Sequence, residues 1–195
     1  HFDEFLRVRA AEAGALRVTG TYTKITRDDE GTHVHYRHKE SGEARTMTCR
    51  MVIGADGARS NVAKAEVKGG DKIPYVIAYH EIIEAPEGGT DAYNPERCDV
   101  IYDGKISPDF YGWIFPHGKS ASVGMGTCID GVDLKKATAD LRKTAGLTAC
   151  RTIRREGATI PLKPLDRWDN GSDVLLAGDA AGVVAPSSGE GIYYA

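Results

Sequence analysis

The chain has 195 residues, a formal net charge of -3 and 41% apolar residues, a composition typical of a folded globular protein that excludes wholesale disorder. Its acidic balance and scattered basic residues argue against nucleic-acid binding, which needs a basic face to neutralise phosphates.

A helix and a three-stranded meander are the first predicted elements. Apolar residues recur on one helical face over residues 2–13, and Gly14 acts as a stop signal. Over residues 16–50 the apolar residues alternate instead, and charged turns at 27–31 and 39–43 divide this stretch. That pattern predicts three antiparallel strands.

No metal site is expected. His33 and His35 share one face of the second strand, and we interpret them as polar side chains on the solvent side of an edge strand. The cysteines lie far apart, without the closely spaced pairs of a zinc site, and are expected to be reduced thiols of a cytoplasmic protein. They are Cys49, Cys98, Cys128 and Cys150.

The first chemical motif is Gly54-Ala55-Asp56-Gly57, which follows a short apolar strand at 51–53 and precedes a helix predicted from about residue 59 to 65. The motif puts the Asp56 carboxylate at the carboxyl end of a sheet, where ligands bind in open α/β folds. In the alternative interpretation Asp56 only caps the following helix, which Asp does well. Taken alone, the motif leaves both open.

The middle of the chain is rich in strand signals and contains the motif Tyr111-Gly112-Trp113-Ile114-Phe115-Pro116. Seven residues later comes Gly124-Met125-Gly126. Alternation places three aromatic rings on one side of a strand, a broad apolar wall suited to a long hydrocarbon. The alternative is a packed sheet core, which periodicity alone favours. Strands are predicted at 76–83, 99–102, 111–115, 121–128 and 158–162, and a helix at 134–145.

The last strand, predicted at 174–177, ends in Gly178-Asp179-Ala180-Ala181-Gly182. An ionised acid there can accept hydrogen bonds from sugar-like hydroxyls. A tight structural turn is the alternative, but a second acid at a strand end favours function. Residues 187–195 are predicted to begin a helix whose start, at Gly189-Glu190-Gly191, would stabilise nearby negative charge. The alternative there is an ordinary capped helix.

Together these motifs resemble one family. The GADG motif and the later VLLAGDAAG look like the two flavin-contact motifs of the large group that includes aromatic hydroxylases. The YxWxFP segment followed by GxG is similar to that of geranylgeranyl reductases. The strings SPDFYGWIFP and SSGEGIYYA look most like the chlorophyll and bacteriochlorophyll members.

The resemblance implies a mixed α/β (α+β) fold, in which an FAD-binding domain of the aromatic-hydroxylase type is combined with an antiparallel-sheet substrate domain. Residues 1–70 and 166–195 would belong to the FAD-binding domain, and residues 71–165 to the substrate domain. The GxGxxG that opens such a domain is absent from the sequence. The first βαβ unit is therefore expected to be missing.

The resemblance also implies FAD as cofactor and assigns roles to the motifs. Asp179 would bind the ribityl hydroxyls, and the segment 189–191 would open a helix facing the flavin ring. No catalytic acid is identified; Glu190 and Tyr193 are candidates by position alone. The cofactor-binding candidates are Gly54, Asp56, Gly57, Gly178, Asp179, Gly189, Glu190 and Gly191. The substrate-binding candidates are Tyr111, Trp113, Phe115, Gly124 and Gly126.

The implied activity is saturation of double bonds in a geranylgeranyl chain to give phytyl, on bacteriochlorophyll. The substrate would be a prenylated pigment or geranylgeranyl diphosphate, and the electron donor NADPH or ferredoxin. Two alternatives stay open: an FAD-dependent aromatic hydroxylase or monooxygenase, and an incomplete, inactive domain that binds no flavin on its own. No apolar run is long enough to span a bilayer, so contact with a photosynthetic membrane would be peripheral.

Overall fold

The computed structural model describes residues 2–194, which form three α-helices and ten β-strands in three sheets. The helices are α1 (Phe2–Glu12), α2 (Asn61–Glu66) and α3 (Leu134–Thr144). The strands are β1 (Gly20–Asp28), β2 (Gly31–His38), β3 (Ala44–Cys49), β4 (Val52–Gly54), β5 (Tyr75–Glu84), β6 (Asp99–Ile101), β7 (Gly112–His117), β8 (Ser120–Thr127), β9 (Thr152–Pro161) and β10 (Val174–Leu176).

The first sheet is the predicted antiparallel meander, in the order β1-β2-β3. Our expectation that His33 and His35 lie on an edge strand is wrong, because the second strand of a meander lies between the other two. Both rings are half-buried. His33 lies 2.7 Å from the Asp28 carboxylate, and His35 bonds to hydroxyls on both flanking strands, those of Thr26 and Thr46. The histidines are therefore part of the cross-strand hydrogen bonding of the meander.

 The second sheet consists of two short parallel strands, β4 and β10, which are separated in the sequence by the 119 residues from 55 to 173. Within this pair, Val52 lies opposite Val174. Helix α2 covers one face of this pair through an apolar cluster. The buried members of that cluster are Val62, Ala63, Val67, Val174, Leu176, Ala181 and Val183.

A group of polar side chains, which we call the Arg27–Asp173 cluster, ties the meander to the parallel pair. The Asp173 carboxylate accepts hydrogen bonds from Arg27 Nε and Nη2 at 2.8 and 2.9 Å. It also accepts from Asn170 Nδ2 at 2.9 Å and from the Thr32 hydroxyl. Arg27 reaches the Glu66 carboxylate on α2 at 2.6 Å. These contacts therefore join β1, β2, α2 and the start of β10.

The third sheet has five antiparallel strands in the order β6-β7-β8-β5-β9. Helix α3 packs on one face, where Ile114, Val123 and Leu141 belong to a buried apolar cluster. The opposite side, which we call the open face, contains Trp113, Gly124, His80 and Glu156 in one cross-strand row. Strand β9 is longer than the 158–162 that we predicted, because it pairs with β5 from Thr152 onward.

The last segment differs from its prediction, because residues 187–194 contain hydrogen-bonded turns rather than the start of a helix. The Gly189 N–H donates to the Ala185 carbonyl at 2.8 Å, and Gly189 has a φ of +67°, which ends the local turn. Ala195, also part of the predicted helix, lies outside the described residues. Among residues 2–194, no helix is both long enough and apolar enough to cross a membrane.

Candidate functional site

The turn after β10 places Asp179 at the carboxyl end of the parallel pair. A short 3₁₀ turn at Gly178–Ala181 follows the strand, and its two flanking glycines have left-handed backbones, with φ of +59° at Gly178 and +75° at Gly182. A Cβ atom at Gly182 would lie only 2.4 Å from the Lys163 carbonyl oxygen. The turn therefore depends on glycine both for its conformation and for its close packing.

The Asp179 carboxylate is partly buried and has no hydrogen-bond partner within residues 2–194. Burial raises the pKa of this carboxyl group above its usual value of 3.8. A Cβ atom at Gly191 would lie 3.0 Å from Asp179 Oδ1, so the last segment passes close to this carboxylate. A half-buried acceptor with unused hydrogen-bonding capacity fits a ligand that carries hydroxyl groups.

Asp56 lies at the same end of the parallel pair but uses its carboxylate differently. It accepts the backbone N–H groups of Asn61 and Val62 at 2.8 and 3.3 Å, as well as the Ser60 hydroxyl. These contacts support the interpretation of Asp56 as a helix cap. Its role near a pyrophosphate stays a prediction.

The two glycines beside Asp56 have different surroundings. A Cβ atom at Gly54 would lie 2.8 Å from Val62 Cγ1 and 2.9 Å from Leu176 Cδ2. Gly54 therefore allows α2 to pack closely on the parallel pair. Gly57, with a φ of +83°, has no atom within 4 Å of the Cβ position, so its backbone is open to a ligand.

Aromatic rings form a continuous row along β7 and the loop before it. The ring centroids of Tyr111 and Trp113 lie 6.1 Å apart, and those of Trp113 and Phe115 lie 6.2 Å apart. Tyr111 also stacks on Phe110 at 4.2 Å and meets Tyr102 edge-on at 5.9 Å. We call these five side chains the aromatic row. Tyr102 and Phe110 are not among the site residues predicted from the sequence. The one signal that could have indicated Phe110 is its position directly before Tyr111.

The two glycines of the GxG motif lie under aromatic rings. A Cβ atom at Gly124 would lie 2.6 Å from Trp113 Cζ2, and one at Gly126 would lie 3.1 Å from Phe110 Cδ1. Both glycines are buried. They allow the rings to lie close to β8, and contact between these glycines and a substrate stays a prediction.

The last segment joins the Asp179 turn to the aromatic row. The Tyr111 hydroxyl donates a hydrogen bond to the Ser188 carbonyl. A Cβ atom at Gly189 would lie 3.2 Å from Phe110 Cζ. Residues 188–191 thus contact both the Asp179 turn and the aromatic row, although Tyr111 and Ser188 lie 77 positions apart in the sequence.

Glu190 and Tyr193, the two candidate acids, are both exposed. Glu190 Oε1 accepts the Tyr193 backbone N–H at 3.0 Å, a local contact within the turn. Neither side chain reaches the aromatic row through a hydrogen bond among the described residues. Their assignment as proton donors has no support from this geometry and stays untested.

Comparison with known proteins supports the resemblance stated from the motifs. Residues 1–73 match the family described as FAD binding domain. The chain is 61% identical to a geranylgeranyl diphosphate reductase of Rhodobacter capsulatus over 194 residues, which is 100% of this chain and 49% of the relative. The predicted resemblance to geranylgeranyl reductases is therefore confirmed.

Two solved structures support the fold class. A geranylgeranyl bacteriochlorophyll reductase-like protein from Thermoplasma acidophilum superposes with a TM-score of 0.80 at 25% identity, covering 98% of this chain and 49% of the other. The anhydrotetracycline hydroxylase OxyS from Streptomyces rimosus gives a TM-score of 0.64 at 22% identity, covering 96% and 38%. The hydroxylase likeness shows the fold alone. The predicted mixed α/β fold related to aromatic hydroxylases is confirmed.

The chain spans about half the length of the relative and of the similar reductase-like structure, at 49% of each. The division into residues 1–70, 71–165 and 166–195 remains a prediction.

Proposed function

We propose that this chain, similar throughout its length to geranylgeranyl reductases, is part of an FAD-dependent enzyme that reduces double bonds of a geranylgeranyl chain to give phytyl. The carrier of that chain is proposed to be bacteriochlorophyll. One observation carries the proposal: the match at 61% identity spans the whole chain, and so covers the segments that contain the Asp179 turn and the aromatic row.

The geometry around Asp179 fits the ribityl part of FAD. Its carboxylate has unused acceptor capacity, and the glycines at 189 and 191 let the last segment pass close to Phe110 and Asp179. In this proposal Asp179 accepts hydrogen bonds from ribityl hydroxyls, and residues 189–191 lie near the flavin ring. Gly57 and its open backbone lie toward the pyrophosphate. When bound and reduced, FAD supplies a hydride.

The aromatic row fits an unsaturated hydrocarbon. Flat apolar side chains bind an isoprenoid chain by removing its surface from water, without fixing one position along it. Such a surface holds the double bonds in a dry environment and lets the chain shift between successive reductions. The second carbon of each double bond then takes a proton. The proposed electron donor is NADPH or ferredoxin.

The proposal is tested with the full-length protein, meaning this chain together with the further sequence that its relatives carry. Given FAD, a chemical reductant and geranylgeranyl-bacteriochlorophyll, it should raise the mass of the pigment in steps of one hydrogen pair. Mass spectrometry of the extracted pigment measures this directly, and protein stripped of flavin is the control. Oxygen uptake with an aromatic acid, at unchanged prenyl mass, would instead establish the hydroxylase alternative.

Replacing Asp179 with Ala should weaken flavin binding while the protein stays folded. Loss of a hydrogen bond to a charged acceptor costs about 1.5–3 kcal/mol, which corresponds to a Kd for FAD that is roughly 10- to 150-fold higher. Fluorescence titration of the stripped full-length protein measures that Kd. Asp130→Ala, at an exposed turn after β8, is the control and should leave it unchanged. An unchanged Kd for Asp179→Ala would mean that Asp179 is only a turn residue.

A further inference from the structure

A chain of hydrogen bonds crosses the open face of the five-stranded sheet beneath the aromatic row. The Trp113 indole Nε1–H donates to Ser122 Oγ at 3.0 Å, and the same Oγ lies 2.9 Å from His80 Nδ1. On the other side of the imidazole, His80 Nε2 lies 3.1 Å from Glu156 Oε2. The four residues come from four neighbouring strands: β7, β8, β5 and β9.

The chemistry of these groups assigns each proton. The indole nitrogen only donates and the carboxylate only accepts. In the neutral form of His80, the ring therefore holds its proton on Nε2, toward Glu156, and its Nδ1 accepts the Ser122 hydroxyl proton. Every donor along this chain then has an acceptor. Arg154 Nε lies 3.1 Å from the other oxygen of Glu156, so the carboxylate is held from both sides.

The Trp113 ring is also fixed by close packing. It lies directly over Gly124, and the His80 and Trp113 ring centroids are 6.1 Å apart. Tyr111 and Phe115 flank the ring within the aromatic row. Rotation of the indole would break its hydrogen bond to Ser122 and leave that buried oxygen with one donor fewer, which is costly away from water.

The hydrogen-bonded series of a serine, a histidine and a carboxylate resembles the catalytic triad of serine hydrolases. Ser122 is only 6% exposed and lies against the Trp113 ring, so its hydroxyl is closed to an ester. Its oxygen also accepts the indole proton, which lowers its nucleophilicity. The geometry favours a role in orientation over nucleophilic catalysis.

We propose that Ser122, His80 and Glu156 are positioning residues that hold the Trp113 indole in one orientation and thereby set where the isoprenoid chain lies on the aromatic row. The hydrogen bonds that hold the indole are independent of the proposed reductase function, whereas their effect on the isoprenoid chain rests on that function. Without the hydrogen-bonded chain, the indole would sample other orientations, and the double bonds would be presented less well for successive reductions.

The first test needs no substrate. In a Trp168→Phe background of the full-length flavin-bound protein, Trp113 is the one tryptophan of this chain, and ¹⁵N-labelled tryptophan reports its indole N–H by NMR. Ser122→Ala and His80→Ala should each speed solvent exchange of that proton about five- to tenfold, the factor expected for one lost hydrogen bond. His80→Asn places an amide oxygen near the position of Nδ1 and should restore protection. Unchanged exchange in Ser122→Ala would overturn the proposal.

The second test follows the reduced products. Ser122→Ala and His80→Ala should raise the KM for the geranylgeranyl substrate about fivefold and increase the share of partly reduced tails. The rate of flavin reduction should not change. His117→Ala, an exposed histidine at the end of β7, is the matched control and should behave as wild type.

The two tests separate the failure of this proposal from the failure of the proposed function. Faster indole exchange in a protein that reduces no alkene would leave the positioning chain in place and refute only the reductase function. Faster exchange in an active reductase with an unchanged product distribution would show that the chain serves stability alone, and would overturn the positioning role. Thermal unfolding of each variant identifies any that fail to fold, and His80→Asn then carries the comparison.

Discussion

Asp173→Ala should lower the free energy of unfolding by about 2–3 kcal/mol, a large share of the stability of a domain of this size. Asp173 is 8% exposed and accepts hydrogen bonds from Arg27, Asn170 and Thr32. Removing the carboxylate leaves the Arg27 guanidinium without its principal partner. That guanidinium is 41% exposed and keeps its bond to Glu66, so the loss should fall below that of a fully buried pair. Urea unfolding followed by circular dichroism measures the change.

The effect of Asp173→Ala should depend on pH with a defined sign. The Arg27 guanidinium, followed by the Asn170 amide and the Thr32 hydroxyl, holds the pKa of Asp173 well below its usual value of 3.8. A lowered pKa in the folded state adds stability that is fully present above the unfolded pKa and is lost as the pH falls through the folded one. The difference between wild type and variant should therefore be constant from about pH 5 upward and shrink in stronger acid.

Asp169→Ala is the matched control for Asp173→Ala. It removes an ion pair with Arg167, at 2.7 Å, whose two side chains are 63% and 38% exposed. Exposed pairs of this kind contribute about 0–1 kcal/mol. Equal losses for the two variants would show that the Arg27–Asp173 cluster is no more than a surface ion pair.

Trp113→Ala should lower kcat/KM for geranylgeranyl reduction about 30-fold in the full-length protein, while the flavin is still reduced at the wild-type rate. The estimate corresponds to about 2 kcal/mol of lost apolar contact with the isoprenoid chain. Because Trp113 lies between Tyr111 and Phe115 in the aromatic row, partly reduced tails that still hold two or three double bonds should accumulate. Mass spectrometry of the pigment over time measures both the rate and the intermediates.

Because Trp113 is only 9% exposed, its removal also tests whether the ring is simply part of the core. Large-to-small changes of buried aromatics cost about 3–5 kcal/mol, so unfolding has to be measured in parallel. Trp113→Phe keeps a ring at the same place and should retain most of the activity. Trp168→Ala, at a 44% exposed position, is the control for loss of an indole. If Trp113→Phe is inactive although folded, or if Trp113→Ala only unfolds the protein, the substrate assignment is wrong.

The elements of this fold follow from local patterns, and so do the positions of its two acidic turns. Alternating residues predicted the meander, and two apolar runs that each end in a glycine-flanked acid predicted the ends of β4 and β10. The sequence could not decide what Asp56 does, because one carboxylate can serve either a ligand or a helix N-terminus. The hydrogen bonds from Ser60 and Asn61 to Asp56 support the capping role, but they depend on the direction in which α2 leaves the turn, which the sequence does not give.

Contacts between distant strands had no signal in the sequence. No motif in the sequence links His80, Ser122 and Glu156. They become neighbours only because β5 pairs with both β8 and β9. The same holds for Arg27 and Asp173. The helix predicted for residues 187–195 is wrong for a different reason: the glycines at 189 and 191 support turns that hold the segment against Phe110 and Asp179.

The pairing of β4 with β10 also has a consequence for the order of events during synthesis. All strands of the five-stranded sheet lie within residues 75–161, whereas the partner that β4 has within residues 2–194 is β10, which is synthesised after 119 intervening residues. The five-stranded sheet can therefore assemble before β4 pairs with β10, since long-range pairing is delayed by the entropy of closing the loop between them. During that interval the apolar side chains of β4 are exposed to other nascent chains, and we expect this stretch to be where holding chaperones act on the growing polypeptide.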